Sequence, residues 1–171
     1  MTTYEIILFY KYVHIENPGQ LMIHQKQVQS RLGLKGRTIV ASEGINATVE
    51  GTSEAIDAYI ADLFSDPRFE GTHIKRDLGN GQASPKTSVK VRSELVSLGL
   101  PSECDIDPNK STGIHLKPAE LHQWIAEGKE FYIIDMRNAY EHLVGYFKDS
   151  ILPPMDNFRD LPKFLKEIEH L

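Results

Sequence analysis

The chain has 171 residues, 40% hydrophobic and 25% charged, so one or two small domains with packed cores are expected. The net charge of -5 resides in residues 101–171, because residues 1–100 balance their Lys+Arg against their Asp+Glu. No apolar run approaches the ~20 residues of a membrane helix, the N-terminus lacks a secretion pattern, and the single cysteine, Cys104, forbids an internal disulfide; a reducing cytoplasm is the expected compartment.

Tyr4 to Val13 reads as a strand in which Ile6, Leu8, Tyr10 and Tyr12 share one face. Asn17-Pro18 supplies an N-cap and a first-turn proline to a helix lined by Leu21, Gln25, Val28 and Leu32 and closed by Gly33. Arg37 to Ser42 and Ala47 to Glu50 read as strands joined by a turn over Glu43-Gly44-Ile45-Asn46. Thr52 or Ser53 caps a second helix with the stripe Ala55, Ile56, Tyr59, Ile60 and Leu63, and Asp66-Pro67 stops it. Thr72 to Leu78 and Ser88 to Val96 are the next strands. The order β-α-β-β-α-β plus one strand predicts an α+β, ferredoxin-like split βαβ domain over residues 1–97, an order that acylphosphatase-type domains share.

Residues 98–112 contain Pro, Gly and small polar residues without periodicity and read as a linker. Leu116-Lys117-Pro118 then opens a helix with Leu121, Trp124 and Ile125 as its buried stripe. Phe131 to Ile134 has the continuous apolar character of a parallel strand covered on both faces. It ends at Asp135-Met136-Arg137, and ligands bind at such strand ends in open α/β sheets. A short helix over Asn138 to Phe147, a short strand at Ser150-Ile151-Leu152 and a last helix from about Leu161 follow.

Asp135-Met136-Arg137, Glu141, Gly145-Tyr146-Phe147, Ser150-Ile151 and Pro153 together resemble the rhodanese signature, with Tyr146 where many rhodanese domains carry His. The segments Ser42 to Gly51, Val89 to Gly99, Ile106 to Asn109 and Phe158 to Pro162 are similar, in the same order, to segments of the rhodanese-related, oxygen-dependent tRNA uridine hydroxylases. The resemblance implies an acylphosphatase-like N-terminal domain followed by the first part of a rhodanese domain over residues 113–171. It implies hydroxylation of the wobble uridine of tRNA to 5-hydroxyuridine, with molecular oxygen as co-substrate. It also implies a catalytic cysteine in a loop after the fourth rhodanese strand. Leu171 falls in the helix before that strand, so a longer parent protein and an inactive 171-residue chain are expected. Cys104 is no substitute: it sits between Glu103 and Asp105, and neighbouring carboxylates raise a thiol pKa. The alternatives are a tRNA-binding module with an inactive rhodanese remnant, or a rhodanese-type sulfurtransferase.

Asp135, Arg137, Glu141 and Arg159 are the supporting site candidates. Asp135 reads as a structural ion pair and cap. Arg137 reads either as its partner or as a hold on an anionic or sulfur-bearing ligand. Glu141 reads as bonded to backbone or Arg, Arg159 as approaching the cysteine loop, and His142 as solvated. The basic stretch Lys75, Arg76, Lys86, Lys90 and Arg92, opposed by Asp77 alone, is either a solvated strand edge or a contact surface for tRNA phosphates. Strand alternation lets about half of these share a face. The histidine spacings make no zinc pattern, and no metal, flavin or haem motif is visible. The expected partner is tRNA rather than a membrane. An incomplete rhodanese sheet would leave Phe131, Ile133, Ile134, Phe158, Leu161, Leu165 and Ile168 partly exposed, which predicts cover by further residues, by the first domain, or by self-association through that sheet.

Overall fold

The computed structural model describes residues 2–96, 98–99, 107–110 and 112–168; Cys104 lies outside them. It divides into two units, Met1–Leu95 with Asp107–Lys110 and Val96–Ile106 with Ser111–Leu171. No helix among the described residues is long and apolar enough to cross a membrane.

In the first unit the elements run β1 (Tyr4–Tyr12), α1 (Pro18–Arg31), β2 (Lys35–Ala41), β3 (Gly44–Thr52), α2 (Ser53–Phe64), β4 (Ile74–Gly79) and β5 (Thr87–Val91). Asn17 Oδ1 accepts the Gln20 N–H at 2.9 Å, and Thr52 Oγ1 accepts the Ala55 N–H at 3.2 Å, so both helices start on side-chain caps. The strand order is β4-β1-β3-β2-β5, antiparallel throughout except for the parallel pair β2–β5. This is a ferredoxin-like α+β fold with β5 added along β2.

Alternation within the strands divides the sheet into two faces. Ile7 and Phe9 of β1, Thr38 and Val40 of β2 and Ile45, Ala47 and Val49 of β3 are buried, on the face that α1 and α2 cover with Leu21, Val28, Ile56, Tyr59 and Leu63. Burying one such side chain is worth about 1.5–3 kcal/mol, whereas helix propensities of ordinary residues differ by at most ~0.7 kcal/mol. Tertiary packing therefore dominates the stability of these helices. A polar cluster sits inside this core: Gln29 Nε2 donates to Thr38 Oγ1 at 2.8 Å, and the Tyr59 hydroxyl donates to Gln25 Oε1 at 2.5 Å. Burial pushes the Tyr59 pKa well above the ordinary tyrosine value, so the hydroxyl stays a donor.

Close approaches require glycine at Gly36, Gly44 and Gly81. Gly36 has φ 145°, and a Cβ there would lie 2.1 Å from the Thr48 carbonyl oxygen. Gly81 has φ 77°, and a Cβ there would lie 2.9 Å from the Tyr4 ring. Gly81 belongs to the loop between β4 and β5, which is held by Glu50. That carboxylate is 3% exposed and accepts three backbone N–H groups, from Asn80 (3.0 Å), Gly81 (2.7 Å) and Ala83 (2.9 Å).

In the first unit two boundaries differ from the expectation by more than two residues. Ala41 pairs directly with Gly44, so β2 and β3 are joined by Ser42-Glu43 alone and β3 begins earlier than Ala47. The strand predicted over Ser88 to Val96 ends at Val91. The Arg92 N–H still reaches Val40 O, but the Leu95 N–H is taken by the Glu43 carboxylate at 2.6 Å, which turns the chain off the ladder.

The second unit has less regular structure. It contains α3 (Pro118–Ala126), α4 (Leu161–Glu167) and short 3-10 helices at Ala139–Val144 and Phe158–Asp160. The strands expected at Phe131 to Ile134 and Ser150 to Leu152 reduce to one parallel bridge, Ile134 with Ile151. Its bonds are Asp135 N–H to Ile151 O (2.9 Å) and Ile151 N–H to Ile133 O (2.8 Å), too few to make a ladder. The predicted buried stripe of α3 is not buried. Trp124 packs on Phe131 at a centroid distance of 5.8 Å, but Ile125 is 56% exposed. Leu161, expected to be partly exposed, is buried, as is Met155; these are the main apolar anchors of this unit. Phe131, Ile133, Ile134, Phe158, Leu165 and Ile168 are half-buried or exposed.

Glu50→Ala should destabilise the first unit by roughly 1–3 kcal/mol, because three N–H groups lose their acceptor together. Urea unfolding followed by circular dichroism measures it; a midpoint unchanged from the parent would show that the clamp contributes nothing.

Candidate functional site

The face of the five-stranded sheet opposite the helices carries the even-numbered residues of β1. Cross-strand register arranges this face in rows. One row is Lys75, Leu8, Thr48, Arg37 and Ser88, from β4 to β5. The next is Tyr10, Asn46, Ile39 and Lys90. A third is Asp77, Ile6, Glu50 and Lys35, closed over at Glu50 by the Asn80–Ala83 loop. Tyr10 is 49% exposed and Leu8 is 41% exposed, which is unusual for central-strand residues of this size. Tyr12 stands beside Tyr10 with ring centroids 6.1 Å apart in an edge-on arrangement. Lys35, Arg37, Lys75 and Lys90 are exposed on this face, and Asp77 is its one exposed strand carboxylate.

The five predicted phosphate contacts are therefore dispersed. Lys75 and Lys90 share the open face but sit on the two edge strands, four strand spacings or roughly 19 Å apart. Arg76 points to the covered face. It bonds the Glu5 carboxylate through Nε and Asp57 on α2 through an NH group at 2.7 Å, and these pairs raise its pKa and lower that of Glu5. Lys86 and Arg92 flank β5 and are exposed; their backbone groups pair with Gly36 and Val40. Sequence reasoning passed over Arg37 and Lys35 on β2, and it did not assign Tyr10 and Leu8 to the uncovered face. The period-two alternation of β1 groups Leu8 with Tyr10 on one face but does not say which face the helices cover.

In the second unit the strand-end candidates form one cluster. Arg137 donates from Nε to Asp135 Oδ1 (2.9 Å) and from one NH group to Asp135 Oδ2 (2.5 Å) and to the Gly145 carbonyl (2.7 Å). This paired guanidinium holds Asp135 well below the usual carboxylate range, at about 2. Glu141 Oε2 accepts the Asn138 N–H at 2.9 Å, a capping contact on the turn. His142, read from sequence as solvated, is instead 9% exposed; its Nε2 lies 3.8 Å from Asp135 Oδ1 and has no hydrogen-bond partner. The turn Ala139–Val144 folds it inward under the strand end. Arg159 is exposed beside Gly99 and is not brought to this cluster by any described contact. Among the described residues no group of three or more His, Cys, Asp or Glu could hold a metal ion.

The pair sets a pH dependence with a definite sign. The folded pKa of Asp135 lies below its unfolded value of ~3.9, so its contribution is present above pH ~4 and is lost as pH falls toward 2. In a carboxyl-carbon NMR titration Asp135 should show its midpoint near 2, and Arg137→Gln should return it toward ~3.9. A midpoint that Arg137→Gln leaves in place would mean that the guanidinium is not the cause.

Comparison with known proteins adds to this geometry. Over 164 residues the chain is 44% identical to a Bacillus licheniformis protein named tRNA uridine(34) hydroxylase, covering 96% of this chain and 50% of that protein. A Bacillus cytotoxicus protein of the same name is 42% identical over 164 residues, covering 96% of this chain and 50% of that protein. A Cytophaga hutchinsonii protein of that name is 40% identical over 171 residues, covering 100% of this chain and 54% of that protein. The chain spans about half the length of the curated relatives it matches. A family model described as UPF0176 acylphosphatase like domain matches residues 4–95, which include every strand of the sheet and more than half of the chain. On that match the chain belongs to the UPF0176 family.

Proposed function

We propose that this chain is part of a tRNA-modifying oxidoreductase that hydroxylates the wobble uridine of tRNA to 5-hydroxyuridine, with molecular oxygen as co-substrate. The observation that carries this reading is the 44% identity, over 96% of the chain, to a protein named tRNA uridine(34) hydroxylase. In this reading residues 1–97 are a tRNA-binding domain, residues 98–112 a linker and residues 113–171 the first part of a rhodanese domain.

In this reading the site candidates serve binding and positioning. Lys75, Lys90 and Arg92 are exposed cations suited to the phosphate backbone. Arg76 is excluded from that group because two carboxylates already hold it. Arg137 spends its nitrogens on Asp135 and Gly145, and Glu141 spends its carboxylate on a turn. Both fix the strand end and the loop after it, so they are positioning residues.

Two measurements test the reading. Disruption of the gene encoding this chain should remove 5-hydroxyuridine from the cell's tRNA, read by nucleoside mass spectrometry; an undiminished level overturns the assignment. For the isolated chain, the slope of log affinity for unmodified tRNA against log salt should fall by ~0.7–0.9 for each true phosphate contact removed in Lys90→Ala and Arg92→Ala. An unchanged slope and affinity in both variants would remove this surface from the binding site.

A further inference from the structure

The open face of the sheet is more than a set of cations. Tyr10 and Leu8, both substantially exposed, occupy β1, second from the β4 edge, and Tyr12 lies edge-on to Tyr10. Around them stand Lys75 across one edge, Arg37 on β2 and Lys90 across the other edge. Asn46 and Thr48 fill the sheet between, as uncharged hydrogen-bonding groups at half-buried positions. The carboxylate nearest the centre, Glu50, accepts three backbone N–H groups and is 3% exposed, so it presents almost no surface to a ligand and the N–H dipoles partly offset its charge. Asp77, the exposed carboxylate of this face, lies one row away from Lys75 at the β4 edge.

A duplex presents phosphates and grooves to a protein, and its stacked bases offer no free face. An exposed ring on a flat sheet gains nothing from it. A single strand is different: each unpaired base has a π-face for an aromatic ring, while its phosphates find cations at the rim. We infer that this face binds unpaired nucleotides of RNA, with one base stacked on Tyr10 and the flanking phosphates held by Arg37 and Lys90. Charge complementarity selects an anionic partner over a neutral or basic protein surface, because Lys35, Arg37, Lys75 and Lys90 oppose one exposed carboxylate, and the proposed function makes that anion an RNA. The exposed ring then selects a single-stranded polyanion over a double-stranded one. The inference rests on the tRNA reading above and deepens it: it names which part of an RNA the first unit grips and the contact that does it.

The test uses the whole chain and three probes: unmodified tRNA, a short single-stranded oligoribonucleotide carrying a fluorescent purine analogue, and a duplex RNA of the same charge. Binding is followed by anisotropy over a salt series, and stacking by quenching of the analogue. The parent chain should bind the single strand more tightly than the duplex and quench the analogue. Tyr10→Ala should weaken single-strand binding roughly 5- to 100-fold and abolish the quenching, with no change in salt slope, because no phosphate contact is lost. Tyr10→Phe keeps the ring and should bind within about twofold of the parent. Tyr10→Leu, which keeps apolar bulk and protects the fold, should behave like Tyr10→Ala. Arg37→Ala should do the reverse, lowering the salt slope by ~0.7 while quenching persists at saturation. Equal binding of duplex and single strand, or Tyr10→Leu binding and quenching like the parent, overturns the stacking inference while tRNA binding stands. A parent chain that binds no RNA overturns the binding role of this unit and the stacking inference together. If Tyr10→Leu instead changes the sedimentation coefficient of the parent, the face joins two copies of the chain and the inference fails.

Discussion

One-sided burial of a five-stranded sheet organises the first unit. A strand offers two faces with a period of two, and the two helices of a β-α-β-β-α-β chain cover one of them. Ile7, Phe9, Val40, Ile45 and Val49 must therefore lie on the same side, and they do. A slip of one residue in β1 would carry Ile7 and Phe9 into water and bring Leu8 and Tyr10 beneath the helices, and a slip in β2 would exchange Val40 for Arg37 in the same way. The register fixes the core and the composition of the uncovered face at once.

That coupling explains why the cations sort as they do. Lys75 and Arg76 are neighbours in sequence but face opposite sides of β4. Arg76 on the covered side meets Glu5 and Asp57 and becomes an internal tie between β4, β1 and α2. Lys75 faces out beside Leu8. Glu50 illustrates the same principle for an acid. Its register position points it away from the helices, and the loop between β4 and β5 supplies the N–H groups that a buried carboxylate requires. The result is an open face whose exposed charge is mostly positive although the chain as a whole is acidic.

The second unit is built on local bonds more than on a core. Met155, Leu161, Pro153 and His142 are its buried side chains among the described residues, and its strand pairing is a single bridge. Order at the end of the Phe131 to Ile134 segment comes from Arg137, which bonds both Asp135 and the carbonyl of Gly145, eight residues after the arginine. A planar, permanently charged guanidinium serves this better than a lysine, because its fork meets both carboxylate oxygens and still has a donor for the backbone. His142 is carried inside by the turn that Glu141 caps, close to a carboxylate that the arginine keeps ionised.

The sequence by itself determined the elements of the first unit, because caps, prolines and apolar periodicity are local signals. Asn17-Pro18, Thr52 and the stripe Ile56, Tyr59 and Leu63 each act within a few residues of themselves. It also carried the Asp135–Arg137 pair and the Glu141 cap, whose partners are two and three residues apart. What it left open was everything set by pairing between distant strands. No local signal says that Ile6, Leu8 and Tyr10 face outward rather than inward, since both faces of β1 are apolar. None says that β4 and β5 lie at opposite edges, which separates Lys75 from Lys90. The continuous apolar run Phe131 to Ile134 promised a ladder, but an apolar run is only a capacity to pair, and a ladder exists where another strand supplies its hydrogen bonds. Tertiary structure decided these points because register and strand order are properties of contacts between distant segments.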